Sequence, residues 1–307
     1  MSKFTIDKSH FITGVVMEYF TKMIGDKGAK ATFYLQTPNA EIDSTRKYPI
    51  VVIVPGGAYF WTSWREMEPV ALDFLGKGFS CVVMEYATEG RDFYTKNFDP
   101  TKEVVSAFPN PLIDLAKTIA LLRQNATKWA LDVAKVNLVG FSAGGNLIGQ
   151  LGVYWDTDWL EELVGKSKTL YAPNSLCIAY GATLMAKQPL LKGFEQLDHA
   201  TLGVDKSQKR ADLANVLDKI NEKTPPTFIW HTTKDAIVPV KTALKLGLNL
   251  EENGVPYEMH IYQNGPHGLS LADQRTDGSA KHAKSSAQVA TWTKLYCNWL
   301  AENGLAF

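Results

Sequence analysis

Gly140-Phe141-Ser142-Ala143-Gly144, followed by Gly145, sets a serine among small residues directly after the apolar run 136–139. A strand ending on such a turn, with a helix starting behind it, would hold the Ser142 hydroxyl clear of the sheet on a strained backbone. The positive end of that helix would lie beside the hydroxyl. That setting suits a serine nucleophile attacking a carbonyl carbon. A glycine-rich turn capped by serine is the plain alternative; the strand before the motif and the helical segment behind it favour the nucleophile.

A serine nucleophile needs a base. Of the six histidines, His10, His199 and His282 have no supporting context. His260 alternates with Met259 and Ile261 inside an apolar run and reads as an exposed-face residue. His231 follows Ile229 and Trp230 and could line a site, but it precedes the candidate acid. His267, in Asn264-Gly265-Pro266-His267-Gly268, sits on a loop just after the last strand-like segment, free to reach back to Ser142. The acid must approach the imidazole from behind, and Asp235 follows the preceding strand-like segment. Its plain alternative is to cap the helix beginning near Val240. Asp273 lies close to His267 on one loop and Asp205 lies in an insertion, so both are weaker rivals.

The charge that develops on a carbonyl oxygen needs two backbone donors aimed at one spot. The Ala143 N–H is one candidate. The loop Pro55-Gly56-Gly57-Ala58-Tyr59 supplies the other, with Gly57 and Ala58 as its donors. Tyr59, Phe60, Trp61 and Trp64 follow closely, and Tyr59 and Trp61 are candidates for an aromatic wall against the substrate; packing of the loop on its own helix explains them equally well. Ser63 and Glu66 have the S-x-x-E spacing of a capping box, which makes Arg65 a first-turn surface residue.

Elements to position these groups are present. Short β-branched runs at 48–55, 79–86, 136–140, 175–180, 227–230 and 257–262 alternate with segments of helical period, which predicts βαβ units and a mostly parallel sheet. Helices are predicted over 64–76, from Pro111 through Leu122, and over 143–153, 240–253 and 287–302. Residues 1–45 should hold antiparallel edge strands, for example at 31–36. The chain reads as one domain over residues 1–307, with 185–224 as a small polar cap or surface insertion.

Hydrophobic residues make up 45% and charged residues 21% of the 307, enough for a sizeable core. Thirty-two basic residues balance 32 acidic ones, so nothing advertises a nucleic-acid or membrane-surface partner, and a neutral small molecule is expected. Cys81, Cys177 and Cys297 have no disulfide or zinc spacing. No signal-peptide pattern or membrane-length apolar run occurs, and the cytoplasm is the expected location.

The chain order Ser142, Asp235, His267 is that of the α/β-hydrolase fold. The segments 55–59, 63–66, 140–147, 225–239 and 265–268 together resemble short-chain esterases related to acetyl-xylan esterases and, more distantly, the hormone-sensitive-lipase group. The resemblance runs from Tyr48 to the C-terminus. It implies triad roles for Ser142, Asp235 and His267, oxyanion donors near Gly57, Ala58 and Ala143, and hydrolysis of short-chain acyl esters, extending to acetylated sugars, without metal or organic cofactor. The chain departs from the HGGG pattern of that group at Pro55 and Ala58. Two other readings share the fold. One is a peptidase of the prolyl-oligopeptidase type, whose usual propeller finds no room in 307 residues. The other is an inactive hydrolase fold used for binding, although such proteins usually lose a triad member.

Overall fold

The computed structural model describes residues 17–183, 195–278 and 284–307. One eight-stranded sheet organises them: β1 (Glu18–Ile24), β2 (Ala29–Leu35), β3 (Tyr48–Val54), β4 (Ser80–Glu85), β5 (Leu131–Phe141), β6 (Ser175–Ala179), β7 (Thr227–Thr232) and β8 (Tyr257–Tyr262). They lie in the order β1-β2-β4-β3-β5-β6-β7-β8. β1 and β2 form the antiparallel edge expected from residues 1–45, of which 1–16 lie outside the described residues. From β4 onward every pairing is parallel.

Every β3 residue is buried, and its two faces feed different layers. Ile50, Val52 and Val54 join one apolar cluster; Val51 and Ile53 join the other. This is the period-two alternation of a strand covered on both sides. The helices are α1 (Glu68–Leu75), α2 (Arg91–Lys96), α3 (Asn110–Gln124), α4 (Ala143–Tyr154), α5 (Asp158–Val164), α6 (Glu195–Leu202), α7 (Gln208–Ala214), α8 (Lys241–Glu252) and α9 (Trp292–Glu302). α1 and α9 cover one face through Phe74, Trp292 and Tyr296. α3, α4 and α8 cover the other, with Leu112, Leu115, Ala116, Ile119 and Leu122 of α3 turned inward as their spacing predicts.

The topology itself selects a place for the site. From β3 the chain steps to β4 on one side, and β5 then lies on the other side of β3. A crevice opens at the carboxyl ends of strands where the order reverses in this way. The loop after β3 and the turn after β5 both meet there.

Some elements differ from expectation. The helix read over 64–76 is a 3-10 turn (Trp64–Glu66) followed by α1, with Pro69 in its first turn. Ser63 makes no side-chain cap, so there is no capping box. The Glu66 side chain is turned inward instead. β5 starts at Leu131, well before the predicted strand, because Asp132 and Lys135 interrupt its apolar run in a partly exposed half. The closing helix begins as a 3-10 turn (Val289–Thr291). Of the segment 185–224, residues 185–194 lie outside the described residues. The remainder is less polar in packing than in composition: Ala200, Leu202, Ala211 and Ala214 are buried in the main cluster. Among the described residues no helix is long and apolar enough to cross a membrane.

Candidate active site

Ser142 stands between the end of β5 and the start of α4 with φ 51° and ψ −114°, a backbone conformation that costs a non-glycine residue energy. Its backbone is braced on both sides: its N–H donates to the Ala179 carbonyl and its carbonyl accepts from Ala182, each at 3.0 Å. The turn is too tight for side chains two residues to either side. A Cβ on Gly140 would lie 2.4 Å from the Gly144 carbonyl oxygen, and one on Gly144 would lie 2.1 Å from that of Val54.

His267 Nε2 is 2.8 Å from Ser142 Oγ, and His267 Nδ1 is 2.6 Å from Asp235 Oδ2. Asp235 divides its two oxygens. Oδ2 meets the imidazole, while Oδ1 accepts the N–H groups of Ile237 and Val238, both at 2.9 Å. The helix-capping alternative is not realised, because α8 begins at Lys241 without a side-chain cap; Oδ1 instead closes the turn just after Asp235, while Oδ2 serves the imidazole. Burial alone would raise the pKa of Asp235; the His267 contact and the two backbone donors outweigh it and hold the carboxyl below its ordinary value. The loop carrying His267 is tied down from several sides. Thr232 Oγ1 donates to Gly265 O at 2.6 Å, and Lys284 Nζ donates to the carbonyls of His267 and Gly268.

The rivals lie elsewhere. Asp273 is engaged by Arg275, at 2.6 Å for its closest contact, and Asp205 accepts from Ser207 N at 2.9 Å. His199 meets the Lys102 carbonyl at 2.9 Å and His260 meets Glu258 at 2.6 Å. His10 and His282 fall outside the described residues.

The loop after β3 runs through three consecutive residues of positive φ: Gly57 at 125°, Ala58 at 57° and Tyr59 at 61°. At Gly57 a Cβ would strike the Trp61 carbonyl oxygen at 1.8 Å, so glycine is required there. The Ala143 N–H belongs to the first turn of α4, whose donors have no partner within the helix. The two candidate sources of oxyanion donors therefore follow adjacent strands, β3 and β5.

Tyr59 departs from the aromatic-wall reading. It is only 2% exposed, its ring packs against Tyr86, and its hydroxyl donates to Asn146 Oδ1 at 2.9 Å. Its positive φ turns the side chain behind the loop, where it pins the loop to α4 one turn past Ser142. Trp61 stays half-exposed, with Arg91 over its ring at 4.9 Å, and Phe60 stacks on Tyr94.

Two groups beside the site were visible in the sequence, but their surroundings were not. Glu66, 3% exposed, accepts the Gly56 N–H at 2.8 Å and the Tyr180 hydroxyl at 2.6 Å. The S-x-R-E spacing marked Glu66 but suggested the wrong partner. His231 is fully buried, and neither ring nitrogen has a hydrogen-bond partner. Burial pushes its pKa down to about 4; the Asp235 charge opposes that shift and His267 adds to it. His231 is thus neutral in the fold through a range in which an unfolded chain, titrating near pH 6.5, takes up a proton. Between those values the unfolded state binds more protons, so stability falls as the pH drops through the window. At 1.36 kcal/mol per pH unit the loss is about 3 kcal/mol. The thermal midpoint of wild type should fall from pH 6.5 toward pH 4.5, and that of His231→Phe should fall less. Equal slopes for the two proteins would remove His231 as a source of acid lability.

The family model described as BD-FAE matches residues 38–250. The chain is 26% identical over 232 residues to endo-1,4-beta-xylanase B of Butyrivibrio fibrisolvens, covering 74% of this chain and 33% of the xylanase. It thus spans about a third of that relative's length. Among solved structures it is similar to the carboxylesterase Cest-2923 of Lactobacillus plantarum WCFS1, at TM-score 0.81 and 23% identity, over 95% of this chain and 99% of that one. It is also similar to an acetyl ester-xyloside bifunctional hydrolase of Caldicellulosiruptor lactoaceticus, at TM-score 0.71 and 27% identity, over 92% and 91% of the two chains. The fold is that of the α/β-hydrolases.

Proposed function

The chain belongs to the BD-FAE family, which matches residues 38–250, and on that premise we propose that it is a serine carboxylesterase acting on short-chain acyl esters of small molecules. The observation that carries this reading is the unbroken relay from Ser142 Oγ to His267 at 2.8 Å and from His267 to Asp235 at 2.6 Å, set on the strained turn after β5. In this reading Ser142 Oγ attacks the ester carbonyl and His267 Nε2 takes its proton. Asp235 keeps the other imidazole proton on Nδ1 and stabilises the charged ring. The N–H of Ala143, with that of Gly57 or Ala58, receives the charge on the carbonyl oxygen. His267 returns the proton to the leaving alcohol, and water, activated by the same base, releases the acid from the acyl-enzyme. This chemistry calls on no metal or organic cofactor.

Acetylated sugars are the substrate class we favour. The acetyl ester-xyloside hydrolase to which the chain is similar supports it, as does the balanced charge of 32 basic and 32 acidic residues, which suits an uncharged ligand. We assign the substrate wall to Trp61 with Phe60, and read residues 195–224 as part of a small cap on a single catalytic domain.

The acyl preference can be tested by chain length. Acetyl and propionyl esters should react fastest, with kcat/KM falling sharply beyond about six carbons as each extra methylene displaces packed side chains at a cost of about 1–3 kcal/mol. An open apolar tunnel would instead add about 0.8 kcal/mol per methylene. The two cases give slopes of opposite sign across acetate, butyrate, hexanoate and octanoate esters below their micellar concentrations. Octanoate exceeding acetate in kcat/KM would replace the short-acyl reading with a lipase-like one.

A further inference from the structure

We propose that Glu66 is a positioning residue that, through Tyr180, fastens the oxyanion loop and the His267 loop to one buried anchor. The proposal rests on the esterase reading given above. Three chain segments distant in sequence must keep register for the reaction: the loop after β3, the end of β6, and the loop after β8. One carboxylate joins them. Glu66 Oε2 accepts the N–H of Gly56, the residue before Gly57, at 2.8 Å. Glu66 Oε1 accepts the Tyr180 hydroxyl at 2.6 Å. The Tyr180 oxygen in turn accepts the N–H of Ser270 at 3.0 Å, three residues past His267.

Tyr180 also touches the base directly. Its ring lies edge-on to the His267 imidazole, with centroids 5.0 Å apart and planes at 71°. Tyr180 is 1% exposed and has φ 37°, an unfavourable value for an aromatic residue. Its N–H donates to the Trp230 carbonyl at 2.8 Å, which fixes the backbone from which the ring projects. A second link runs beside the first: Ser270 Oγ donates to the Arg65 carbonyl at 2.6 Å, so the peptide next to Glu66 holds the same loop.

The carboxylate and Ser142 both crowd Gly56. A Cβ added to Gly56 would meet Ser142 Cβ at 2.8 Å and Glu66 Oε2 at 2.9 Å. Burying a carboxylate for stability alone is a poor bargain, because an apolar residue of similar volume commonly serves as well. What only the carboxylate provides is two acceptors, at a fixed spacing, for two donors on different loops. Glutamine offers one oxygen. It leaves either the Gly56 N–H or the Tyr180 hydroxyl without an acceptor, and the loop served by that donor drifts.

The experiment compares wild type, Glu66→Gln, Tyr180→Phe, their double variant and Ser142→Ala with an aryl acetate. Circular dichroism and thermal midpoint are recorded for each. Each single change at the bridge should lower kcat roughly ten- to hundred-fold, as small misplacements of reacting groups do, with KM changed by less than about threefold. Because both changes break one bridge, the double variant should fall no more than about threefold below the slower single. Single variants with kcat within about threefold of wild type, or a double variant showing the full product of the two losses, would overturn the proposal. Should Glu66→Gln fail to fold, Tyr180→Phe decides alone: a lowered kcat with an unchanged KM supports the bridge, and full kcat removes it. In the same assay, an inactive Ser142→Ala beside fully active bridge variants refutes only this inference. A wild type that does not hydrolyse the ester refutes the reading beneath it.

Discussion

Replacing Ser142 with alanine is expected to lower kcat by roughly four to six orders of magnitude while the fold stays intact. Loss of the hydroxyl removes the proposed nucleophile and leaves His267 Nε2 without its 2.8 Å partner. What remains is the binding of substrate and the donors around the carbonyl oxygen, which sustain only a slow attack by water. Stability should change little. The Ser142 side chain makes no cap on α4, and the turn is held by backbone bonds to Ala179 and Ala182 that alanine keeps. Alanine also occupies the positive φ of Ser142 at a cost similar to serine's. A folded variant retaining more than about a tenth of wild-type turnover would remove Ser142 from the mechanism, since deletion of a triad nucleophile does not leave such a rate.

Asp235→Asn should cut kcat by about 10⁴, through the imidazole tautomer. The geometry fixes which way the amide will face. Oδ1 accepts two backbone N–H groups, from Ile237 and Val238, so the amide oxygen of asparagine must take that side. Its NH₂ then points at His267 Nδ1 and can only donate to it. The imidazole must carry its proton on Nε2, where it cannot accept one from Ser142. Because both backbone bonds survive, the loop after β7 should remain folded, and the loss should appear in kcat with little change in thermal midpoint. Asp273→Asn should change kcat little, since that carboxylate is engaged by Arg275. The opposite ranking of the two variants would place the acid on the other loop.

The three residues brought together here were legible because each sits in a local pattern tied to one strand end. Chain order then linked β5, β7 and β8, parallel strands whose carboxyl ends lie on the same side of the sheet. The strands after β2 were legible for a related reason: both sheet faces are covered, so β3 and its neighbours read as apolar runs. Legibility ended where a side chain's direction depends on distant packing. Glu66 follows Ser63 at capping-box spacing, but the chain there forms a 3-10 turn, and the inward site is fixed by Gly56 and Tyr180, ten and 114 residues away. Tyr59 lies in an aromatic run, and its inward direction is set by Tyr86 and Asn146, 27 and 87 residues away. The composition of 195–214 looks solvated, yet α6 and α7 bury small apolar residues on one side, and Phe108 N donates to Thr201 O at 2.8 Å. Short helices with so few apolar positions carry too weak a periodic signal to show a buried face.

The central claim, that Ser142 is the nucleophile, is tested most directly by covalent capture. The protein is treated with a fluorophosphonate and analysed by intact mass and by peptide mapping. The account predicts one adduct per chain, on the peptide containing Ser142, with ester hydrolysis lost in proportion to labelling. Asp235→Asn should form the same adduct far more slowly, because phosphonylation needs the same base. An adduct on another residue, or none while ester hydrolysis continues, would contradict it.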